Sequence, residues 1–348
     1  MKAGLITGIR QFELCEVPEP RLRPGAAIVD ISVCGICGSD VTAYKFGAEM
    51  GIVYPKALCG HEWAGVVSEV AKDVHDVSEG DRVLLGSTPP CGMQCAACRQ
   101  GRYHACETVA NAMLGGDGFS PNSGGFAPRQ TVDARRLVPI PDKISDSQAA
   151  MAEPATVATH GIRKSSVRPG DRVAIFGAGP IGLFALQVLK ASGVGQAVVI
   201  EPVAHRRQRA LALGADFALA PGKEAAEIIA DLTHGLGLDR LYDCAGAQAS
   251  LEEAAKLVRR QGTVMMIGFP SSRIPVDVGM WLLKEIDVRT SYAFDKADTQ
   301  AVLDLMARGA IDAPAMHSGT VSLENAAATF AELASANEKV KILVDPRL

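Results

Sequence analysis

The sequence predicts an α/β protein that combines a largely β region with a doubly wound parallel sheet. Early in the chain, short β-rich runs such as "AAIVDISV" and "EWAGVVSEV" alternate with turns such as "SEGDRV". From about residue 170, apolar runs such as "RVAIFG" and "AVVIE" alternate with helical stretches such as "IGLFALQVLKASG". Alternation of strands and helices at this spacing is typical of parallel βαβ units.

The chain length and its final residues indicate how these regions are organised. A chain of 348 residues is long enough for about two domains. The parallel region occupies the middle of the chain, whereas the closing run "KVKILVDPRL" has the composition of a strand that must pair elsewhere. We therefore expect a discontinuous first domain of residues 1–154 and 294–348, with a second domain of residues 155–293 inserted in it.

Composition and charge indicate which kinds of molecule the protein can be expected to bind. Hydrophobic residues make up 48% of the chain and charged residues 21%, as in ordinary globular proteins. The net charge of -4 lacks the basic excess that nucleic-acid or anionic-membrane binding normally requires. We therefore expect a small-molecule partner, and neither nucleic acid nor membrane.

The cysteines and the N-terminal segment predict a cytoplasmic protein. Nine cysteines are an odd number, and their tight cluster is of the kind that binds metals in reducing compartments. The opening "MKAGLITGIRQFEL" has no sustained apolar segment of a secretory signal. The longest uncharged stretch, residues 173–189, is slightly short for a membrane span and contains "GAGPIG", which better fits a strand followed by a helix.

Residues 91–106, "CGMQCAACRQGRYHAC", predict a structural zinc site. Four sulfurs within one loop can complete a tetrahedral centre, and a complete centre leaves no position open for substrate. Four free thiols on a surface loop are the alternative, but exposed thiols are prone to oxidation. The ligands of this site would be Cys91, Cys95, Cys98 and Cys106.

The segment Gly177-Ala178-Gly179-Pro180-Ile181-Gly182 predicts a dinucleotide site in a Rossmann domain. An apolar strand precedes it, a helical pattern follows it, and Glu201 ends the next strand about 20 residues on. Gly177 permits the sharp turn, Gly179 permits close approach of a pyrophosphate, and Gly182 permits close packing of helix against strand. The phosphates would bind at the helix N-terminus.

Two separate fragments supply candidate ligands of a catalytic zinc, which needs mixed ligands and an open position. "CGICGSD" contains Cys37, and "CGHEWAG" contains His61 and Glu62. A single cysteine or histidine is more often a packing residue than a ligand. The accompanying dinucleotide motif makes the metal interpretation stronger.

With these motifs the sequence resembles the zinc-containing medium-chain dehydrogenase/reductase (alcohol dehydrogenase) family, in its sorbitol/threonine/butanediol dehydrogenase branch. The resemblance covers nearly the whole chain and rests on motifs in the right order. They are "VCGICGSDV", "LCGHEWAGVV", "GGFA", "AEPATVATHG", "PGDRVAIFGAGPIGL", "YDCAG" and "KVKILV". The resemblance implies a GroES-like catalytic domain, a Rossmann coenzyme domain, two zinc ions per chain and a homo-oligomer, a tetramer or dimer with contacts in "TVMMIGFP".

The resemblance also implies roles for individual residues. Cys37 and His61 would bind the catalytic zinc, with the carboxylates of Glu62 and Glu153 beside it; which glutamate binds directly stays open. Ser39 would accept the alcohol proton, although a serine at this place can also be a plain turn residue. The coenzyme would contact Pro180, Ile181, Arg206, Cys244, Ala245 and Gly268.

Three departures from the family pattern affect these expectations. The first spacing in the cysteine loop is one residue longer than in many relatives, which predicts a bulge near Met93. Thr42 stands where many relatives carry a histidine that passes the proton to solvent, so the relay must end differently. Ala293, between two aromatic residues, stands where polyol-oxidising relatives often have arginine, which makes a highly hydroxylated substrate less expected.

The choice of coenzyme depends on Glu201. Its carboxylate can accept hydrogen bonds from both ribose hydroxyls and would repel a 2′-phosphate, which favours NAD over NADP. Arg206 or Arg207 could in principle offset that charge, but many NAD-using relatives carry an arginine at the position of Arg206, where it stacks on the adenine.

We therefore expect an NAD-dependent zinc alcohol dehydrogenase that converts a secondary alcohol, of the diol, polyol or hydroxy acid type, into a ketone. A primary alcohol or aldehyde reductase of the same family is the alternative. A non-enzymatic regulator that binds zinc and NAD, a zinc-ribbon interaction or nucleic-acid module with the Rossmann unit as a sensor, fits less well. The net charge is -4, and the chain lacks a basic stretch interleaved with aromatic residues. A zinc-free quinone or enoyl reductase would lack Cys37, His61 and the cysteine loop.

Overall fold

A computed structural model describes most of the chain, and it confirms the predicted α/β fold. The described residues are 1–47, 54, 59–86, 91, 94–100, 102–107, 124–270, 273–335 and 337–348. Contacts divide the chain into two compact units. The first comprises Met1–Glu153, Asp295–Ala307 and Met316–Leu348, and the second comprises Pro154–Phe294 and Arg308–Ala315. Residues 308–315 are thus grouped with the second unit, whereas the sequence predicts them in the first domain.

The first unit is rich in short strands. Its strands are β1 (Lys2–Gly8), β2 (Gln11–Glu16), β3 (Ala26–Gly35), β4 (Glu62–Val70), β5 (Arg82–Leu85), β6 (Arg129–Asp133), β7 (Leu137–Pro139), β14 (His317–Ser322) and β15 (Lys341–Asp345). Its helices are α1 (Gly38–Phe46), α2 (Ala96–Arg99), α3 (Asp146–Ala150), α10 (Lys296–Ala307) and α11 (Ala326–Leu333). The first two residues of α4 (Ala152–Lys164) belong to this unit, and the rest of α4 belongs to the second. Short 3₁₀ turns cover Tyr103–Ala105, Ala134–Arg136 and Pro314–Met316.

A seven-stranded sheet organises this unit around β3. The strand order is β14-β15-β3-β4-β5-β7, and β6 also pairs with β3. All residues of β3 except Asp30 are buried, as expected for a central strand rich in β-branched residues. The last strand, β15, lies antiparallel to β3, with Leu343 opposite Gly35 and Val344 opposite Cys34. The end of the chain is thereby placed beside the segment that leads to Cys37.

Aromatic residues from distant parts of the chain form the core of the first unit. Phe12 of β2 stacks on Phe330 of α11 with ring centroids 4.7 Å apart. Phe126 packs edge-on against Phe330 at 5.9 Å. The C-terminal helix is therefore part of the core built by the first residues of the chain.

The second unit is a doubly wound parallel sheet with its helices. Its strands are β8 (Arg172–Phe176), β9 (Gln196–Ile200), β10 (Phe217–Leu219), β11 (Leu238–Asp243), β12 (Val258–Met266) and β13 (Asp287–Thr290). Its helices are α5 (Pro180–Ala191), α6 (Ala204–Ala212), α7 (Lys223–Leu232), α8 (Gln248–Leu257) and α9 (Val278–Lys284). The order β10-β9-β8-β11-β12-β13 is the 3-2-1-4-5-6 order of dinucleotide-binding sheets, in which ligands bind at the carboxyl ends of the strands.

No helix among the described residues is both long enough and apolar enough to cross a membrane.

Candidate active site and metal centres

Cys37 lies at the corner between β3 and α1. Its sulfur caps the helix by accepting a hydrogen bond from the Ser39 N–H at 3.4 Å, and the Asp40 carboxylate accepts one from the Cys37 N–H at 3.4 Å. This reciprocal capping fixes the side chain at the helix N-terminus. The sulfur thus lies at the positive end of the helix dipole, which would favour a thiolate once a metal is bound.

His61 and Glu62 lie where the chain enters β4, opposite the end of β3. Glu62 is paired with Gly35 in the sheet, and a Cβ atom at Gly35 would collide with the Glu62 carboxylate. Donor atoms of Cys37, His61 and Glu62 all lie within 4.8 Å of one another. A sulfur, an imidazole nitrogen and a carboxylate oxygen in this arrangement fit the ligand set of a catalytic zinc.

Two further charged residues lie beside this set, and neither was predicted from the sequence. Asp40 is fully buried, with its Oδ2 3.9 Å from Nδ1 of His61. Lys341, the first residue of β15, donates hydrogen bonds to both carboxylate oxygens of Glu62, at 2.9 and 2.6 Å. The spacing from Cys37 to Asp40 in "CGSD" is that of a capping box, so the position of Asp40 could have been found. Nothing in the pattern "KVKILV" indicates the partner of Lys341.

Glu153, in the first turn of α4, belongs to the same electrostatic environment. It is not in the set of donors that lie within 4.8 Å of one another. Burial raises the pKa of Glu153 to about 8; His61 opposes this shift, and the charges of Glu62 and Cys37 add to it. Burial, followed by the charge of Glu62, also raises the pKa of Cys37 to about 12. Several acidic groups thus share a buried space, as suits a site for a divalent cation.

The side chains of Ser39 and Thr42, the hydroxyl residues near Cys37, lie in different surroundings. Ser39 is exposed at the start of α1. The Thr42 hydroxyl donates a hydrogen bond to the Gly38 carbonyl one turn back, at 2.9 Å. Thr42 therefore points its proton into its own helix.

The cysteine loop brings its four sulfur atoms together. The sulfurs of Cys91, Cys95, Cys98 and Cys106 lie within 4.8 Å of one another, and none of the four forms a disulfide. The Cys95 and Cys106 sulfurs are 3.9 Å apart. Four thiolates at about 2.3 Å from a tetrahedral zinc would be about 3.8 Å apart, so the loop fits zinc. The predicted bulge at Met93 lies outside the described residues.

Backbone amides and a histidine hold this loop in place. The Cys95 N–H donates to the Cys91 sulfur at 3.1 Å, and the Cys98 N–H donates to the Cys95 sulfur at 3.4 Å. Hydrogen bonds from backbone amides, that of Cys98 first, lower the pKa of Cys95. His104 Nδ1 lies 2.9 Å from both carboxylate oxygens of Asp295, just before α10. This last contact, which was not predicted from the sequence, connects the loop to the residue before α10 in the same unit.

In the second unit, the glycine turn leaves room for a phosphate group. Gly177 has a φ of +92°, a conformation that favours glycine. A Cβ atom at Gly182 would collide with the Gly177 carbonyl, whereas one at Gly179 would meet nothing within 4 Å. Gly179 caps α5 without a side-chain hydrogen bond, and Pro180 is the first helical residue. The first N–H groups of a helix have no partner within the helix, and beside open space they fit a pyrophosphate.

Glu201 is held beside this turn. Its side chain is buried, with Oε2 accepting from the Ala178 N–H at 2.8 Å and Oε1 accepting from the Val203 N–H at 3.0 Å. A carboxylate oxygen has two lone pairs, so each can still accept a ribose hydroxyl. Arg207 donates to the carbonyls of Glu201 and Pro202, both at 2.8 Å. The Arg207 side chain is therefore held against the two residues that follow β9.

Asp243 organises the loop that contains Cys244 and Ala245. Its Oδ1 accepts from the N–H groups of Ala245 and Gly246, each at 3.2 Å, while Oδ2 has no hydrogen-bond partner among the described residues. Its carbonyl accepts from the Gly268 N–H at 2.8 Å. Ala245 in turn lies against Gly177. Asp243 was not predicted as a site residue, although it directly precedes the predicted contacts Cys244 and Ala245.

Comparisons with known proteins agree with both parts of the chain. Residues 23–142 match the family model of the alcohol dehydrogenase GroES-like domain, and residues 180–308 match that of the zinc-binding dehydrogenase. Sorbitol dehydrogenase of Bacillus subtilis (strain 168) is 30% identical over 350 residues, covering 99% of this chain and 97% of that protein.

Two solved structures of similar sequence span the whole chain. 2R,3R-butanediol dehydrogenase from Bacillus subtilis is 28% identical, with a TM-score of 0.85 and 99% of each chain covered. A zinc-binding dehydrogenase from Sinorhizobium meliloti 1021, bound to NADP, is 27% identical, with a TM-score of 0.86 and the same coverage. The chain therefore belongs to the zinc-containing medium-chain alcohol dehydrogenase family, and it is an oxidoreductase that uses zinc and a nicotinamide coenzyme.

Proposed function

We propose that the protein oxidises a secondary alcohol of the diol, polyol or hydroxy acid type to the ketone, with NAD as the coenzyme. The convergence of Cys37, His61 and Glu62 is the observation that carries this proposal. Relatives named for sorbitol and for 2R,3R-butanediol support the substrate class, since both of these compounds contain secondary hydroxyl groups. Residues 1–154 and 294–348 would form the catalytic domain and residues 155–293 the coenzyme domain.

The protein would hold two zinc ions in chemically different sites. Cys37 and His61, together with Glu62 or Glu153, would hold the catalytic ion, and the four cysteines of residues 91–106 would hold the structural one. When bound, a catalytic zinc supplies a Lewis acid that makes a substrate hydroxyl easier to deprotonate near neutral pH. The complete sulfur set of the cysteine loop has no such role, because it leaves no open position.

Ser39 would accept the proton of the alcohol. Its hydroxyl is at the exposed start of α1, two residues after Cys37. Because the Thr42 hydroxyl donates to its own helix, we propose that the proton passes from Ser39 to solvent without Thr42. This ending of the relay differs from that of relatives with a histidine at the position of Thr42.

The second unit would bind NAD in preference to NADP. The glycine turn and the N-terminus of α5 would receive the pyrophosphate, and Glu201 would receive the hydroxyls of the adenosine ribose. Both carbonyl contacts of Arg207 are made by Nη1, and they hold its side chain at the end of the strand that Glu201 follows. Because a relative binds NADP, this preference rests on Glu201 and not on the family. When bound, the coenzyme supplies the hydride acceptor.

A substrate panel tests the proposal directly. Matched pairs of secondary and primary alcohols, diols, polyols and 2- and 3-hydroxy acids would be oxidised with NAD, with the absorbance of the reduced nicotinamide as the readout. We expect the highest kcat/KM for a secondary alcohol. A preference for primary alcohols would instead support the alternative family activity. Tight binding of zinc and NAD without turnover of any substrate would support a regulator.

We also propose a cytoplasmic homo-oligomer, a tetramer or dimer. None of the nine cysteines is in a disulfide, as in a reducing compartment. In the "TVMMIGFP" region, Val264 and Met265 are buried within their own unit, and Phe269 near the end of the segment is the most exposed residue. The neighbouring helix α9 also exposes Leu282 and Leu283, and large exposed apolar side chains are typical of interfaces.

A further inference from the structure

Lys341 is a buried lysine in direct contact with a candidate zinc ligand. Its side chain is 2% exposed and that of Glu62 is 1% exposed. The ammonium group lies 2.9 and 2.6 Å from the two Glu62 oxygens and 3.0 Å from the Ile36 carbonyl oxygen. A lysine has three N–H donors, and all three are used here. The ammonium group therefore has no donor left with which to bind another partner.

The backbone around this contact is fixed as well. The Ile36 N–H donates to the Ile342 carbonyl at 3.0 Å, so β15 is bonded to the residue just before Cys37. On another side, the Glu62 carboxylate packs so closely on Gly35 that a Cβ atom there would collide with it. Lys341 thus connects the last strand, the segment before Cys37 and the Glu62 carboxylate.

Charge balance suggests what this contact does. Glu62 shares its buried space with the sulfur of Cys37 and the imidazole of His61. The two hydrogen bonds from Lys341 are the contacts that balance the charge of Glu62 among the described residues. Without them, a buried carboxylate would be left uncompensated, which is strongly unfavourable. A divalent cation in the site would then be the main partner of the carboxylate.

We propose that Lys341 is a positioning residue that shares the Glu62 carboxylate with the catalytic zinc and so limits how strongly Glu62 binds the metal. The inference rests on the proposed function and deepens it. Because Lys341 donates hydrogen bonds to both oxygens, only part of the negative charge of Glu62 is available to the metal. The position that substrate must enter then stays exchangeable.

Replacement of Lys341 by methionine tests this role through the metal itself. The rate at which zinc is released to a chelator would be measured. The kinetic phase of release that is absent from the Cys37→Ser variant identifies the catalytic ion. We expect Lys341→Met to slow this phase about tenfold or more, the usual scale of changes around metal ligands. With cobalt in place of zinc, the visible spectrum should shift towards a higher coordination number. Activity should fall in kcat, and Lys341→Arg should restore release and spectrum.

Two controls separate positioning from general stability. Lys284 also donates three hydrogen bonds, to the carbonyls of Ala255, Lys256 and Val258 in the second unit, so Lys284→Met should release the catalytic metal like the parent. In the Glu62→Gln background, Lys341→Met should no longer slow release. Should Lys341→Met fail to fold, Lys341→Gln takes its place and should also slow release.

Release as fast as in the parent, or faster, from a folded Lys341→Met or Lys341→Gln protein would overturn the proposal. An equal slowing in Lys284→Met or in the Glu62→Gln background would overturn it as well. The parent protein is assayed with alcohols in the same preparation. A parent that holds two zinc ions but oxidises no alcohol would reject the proposed function, while the release rates would still decide the role of Lys341.

Discussion

At the scale of single residues, Cys37 provides the sharpest test of the catalytic site. Cys37→Ser should lower kcat/KM roughly a thousandfold or more, because a bound metal contributes several kcal/mol to catalysis. Zinc content should fall from two ions per chain to one, while the unfolding temperature stays close to that of the parent. Elemental analysis, kinetics and thermal unfolding measure these outcomes. A variant that is insoluble would show that Cys37 belongs to a structural centre.

The raised pKa values of Glu153 and Cys37 predict how zinc binding depends on pH. In the metal-free protein these values are about 8 and about 12, so both groups hold protons near neutral pH. Zinc binds the deprotonated forms, so its affinity should rise with pH and binding should release protons. For Glu153 the folded-state pKa lies above the unfolded value, so its contribution to stability is full below pH 4.5 and is lost as pH rises through about 8.

Two measurements check this pH dependence. Zinc titrations from about pH 6 to about pH 9 should show increasing affinity, and calorimetry in buffers of different ionisation enthalpy should show proton release. The metal-free protein should unfold more easily at the upper end of this range. An affinity that does not change with pH would contradict the prediction.

Glu201 determines the predicted preference for NAD. The parent should favour NAD over NADP by at least about tenfold in kcat/KM, equivalent to about 1.4 kcal/mol. Glu201→Ser should reduce that ratio and also lower the unfolding temperature, since the Ala178 and Val203 amides lose their acceptor. Glu201→Gln is the matched control, because it removes the charge and keeps an acceptor oxygen. If neither variant changes the ratio, Glu201 does not select the coenzyme.

Sequence reasoning could identify candidate site residues only where the pattern is local. The four cysteines span sixteen positions, and the glycine turn is continuous, so spacing alone indicates their chemistry. Lys341 and Glu62 are 279 residues apart, and their contact exists only because β15 pairs with β3. His104 and Asp295 are 191 residues apart. Contacts of this kind depend on the tertiary fold, and no local pattern in the sequence predicts them.

At the scale of elements, the link between the cysteine loop and α10 should stabilise the structural zinc. His104→Ala removes the contact to Asp295 and should cost about 1.5–3 kcal/mol, as for a hydrogen bond to a charged group. Zinc content should stay at two ions per chain, but a chelator should remove the structural ion faster. The Cys37→Ser background isolates that ion. Unchanged release would show that the loop holds its metal without His104.

The order of helices and strands could be predicted from the sequence more fully than the boundaries between the two units. Apolar runs alternating with helical patterns determine a parallel sheet, and the structure has the expected βαβ order. The sequence predicts residues 308–315 in the first domain because the closing strand must pair outside the parallel sheet, but they are bonded to the second unit. The Asp312 N–H donates to Gln187, and Arg209 donates to the Ala315 carbonyl. These contacts are between side chains and loop backbone, so periodicity does not indicate them.

At the scale of the whole molecule, the predicted homo-oligomer can be tested on one surface of the second unit. Leu282 and Leu283 of α9 are 76% and 69% exposed, and Phe269 is 73% exposed. The strand β13 beside them is the last in its sheet and is bonded to β12 on one side only, among the described residues. An exposed strand edge next to apolar side chains is a favourable surface for pairing with another chain.

Charges placed on this surface should separate the subunits. We expect the parent to be a dimer or tetramer in light scattering at micromolar concentration, and Leu282→Glu with Leu283→Glu to shift it towards the 36.5 kDa of a single chain. Burying two unpaired carboxylates in an apolar interface costs several kcal/mol, enough to dissociate it. Leu236, 70% exposed and outside α9 and β13, supplies the matched control, since Leu236→Glu should leave the assembly intact. A parent protein of 36.5 kDa would reject the oligomer, and a parent oligomer insensitive to both glutamates would place its interface elsewhere.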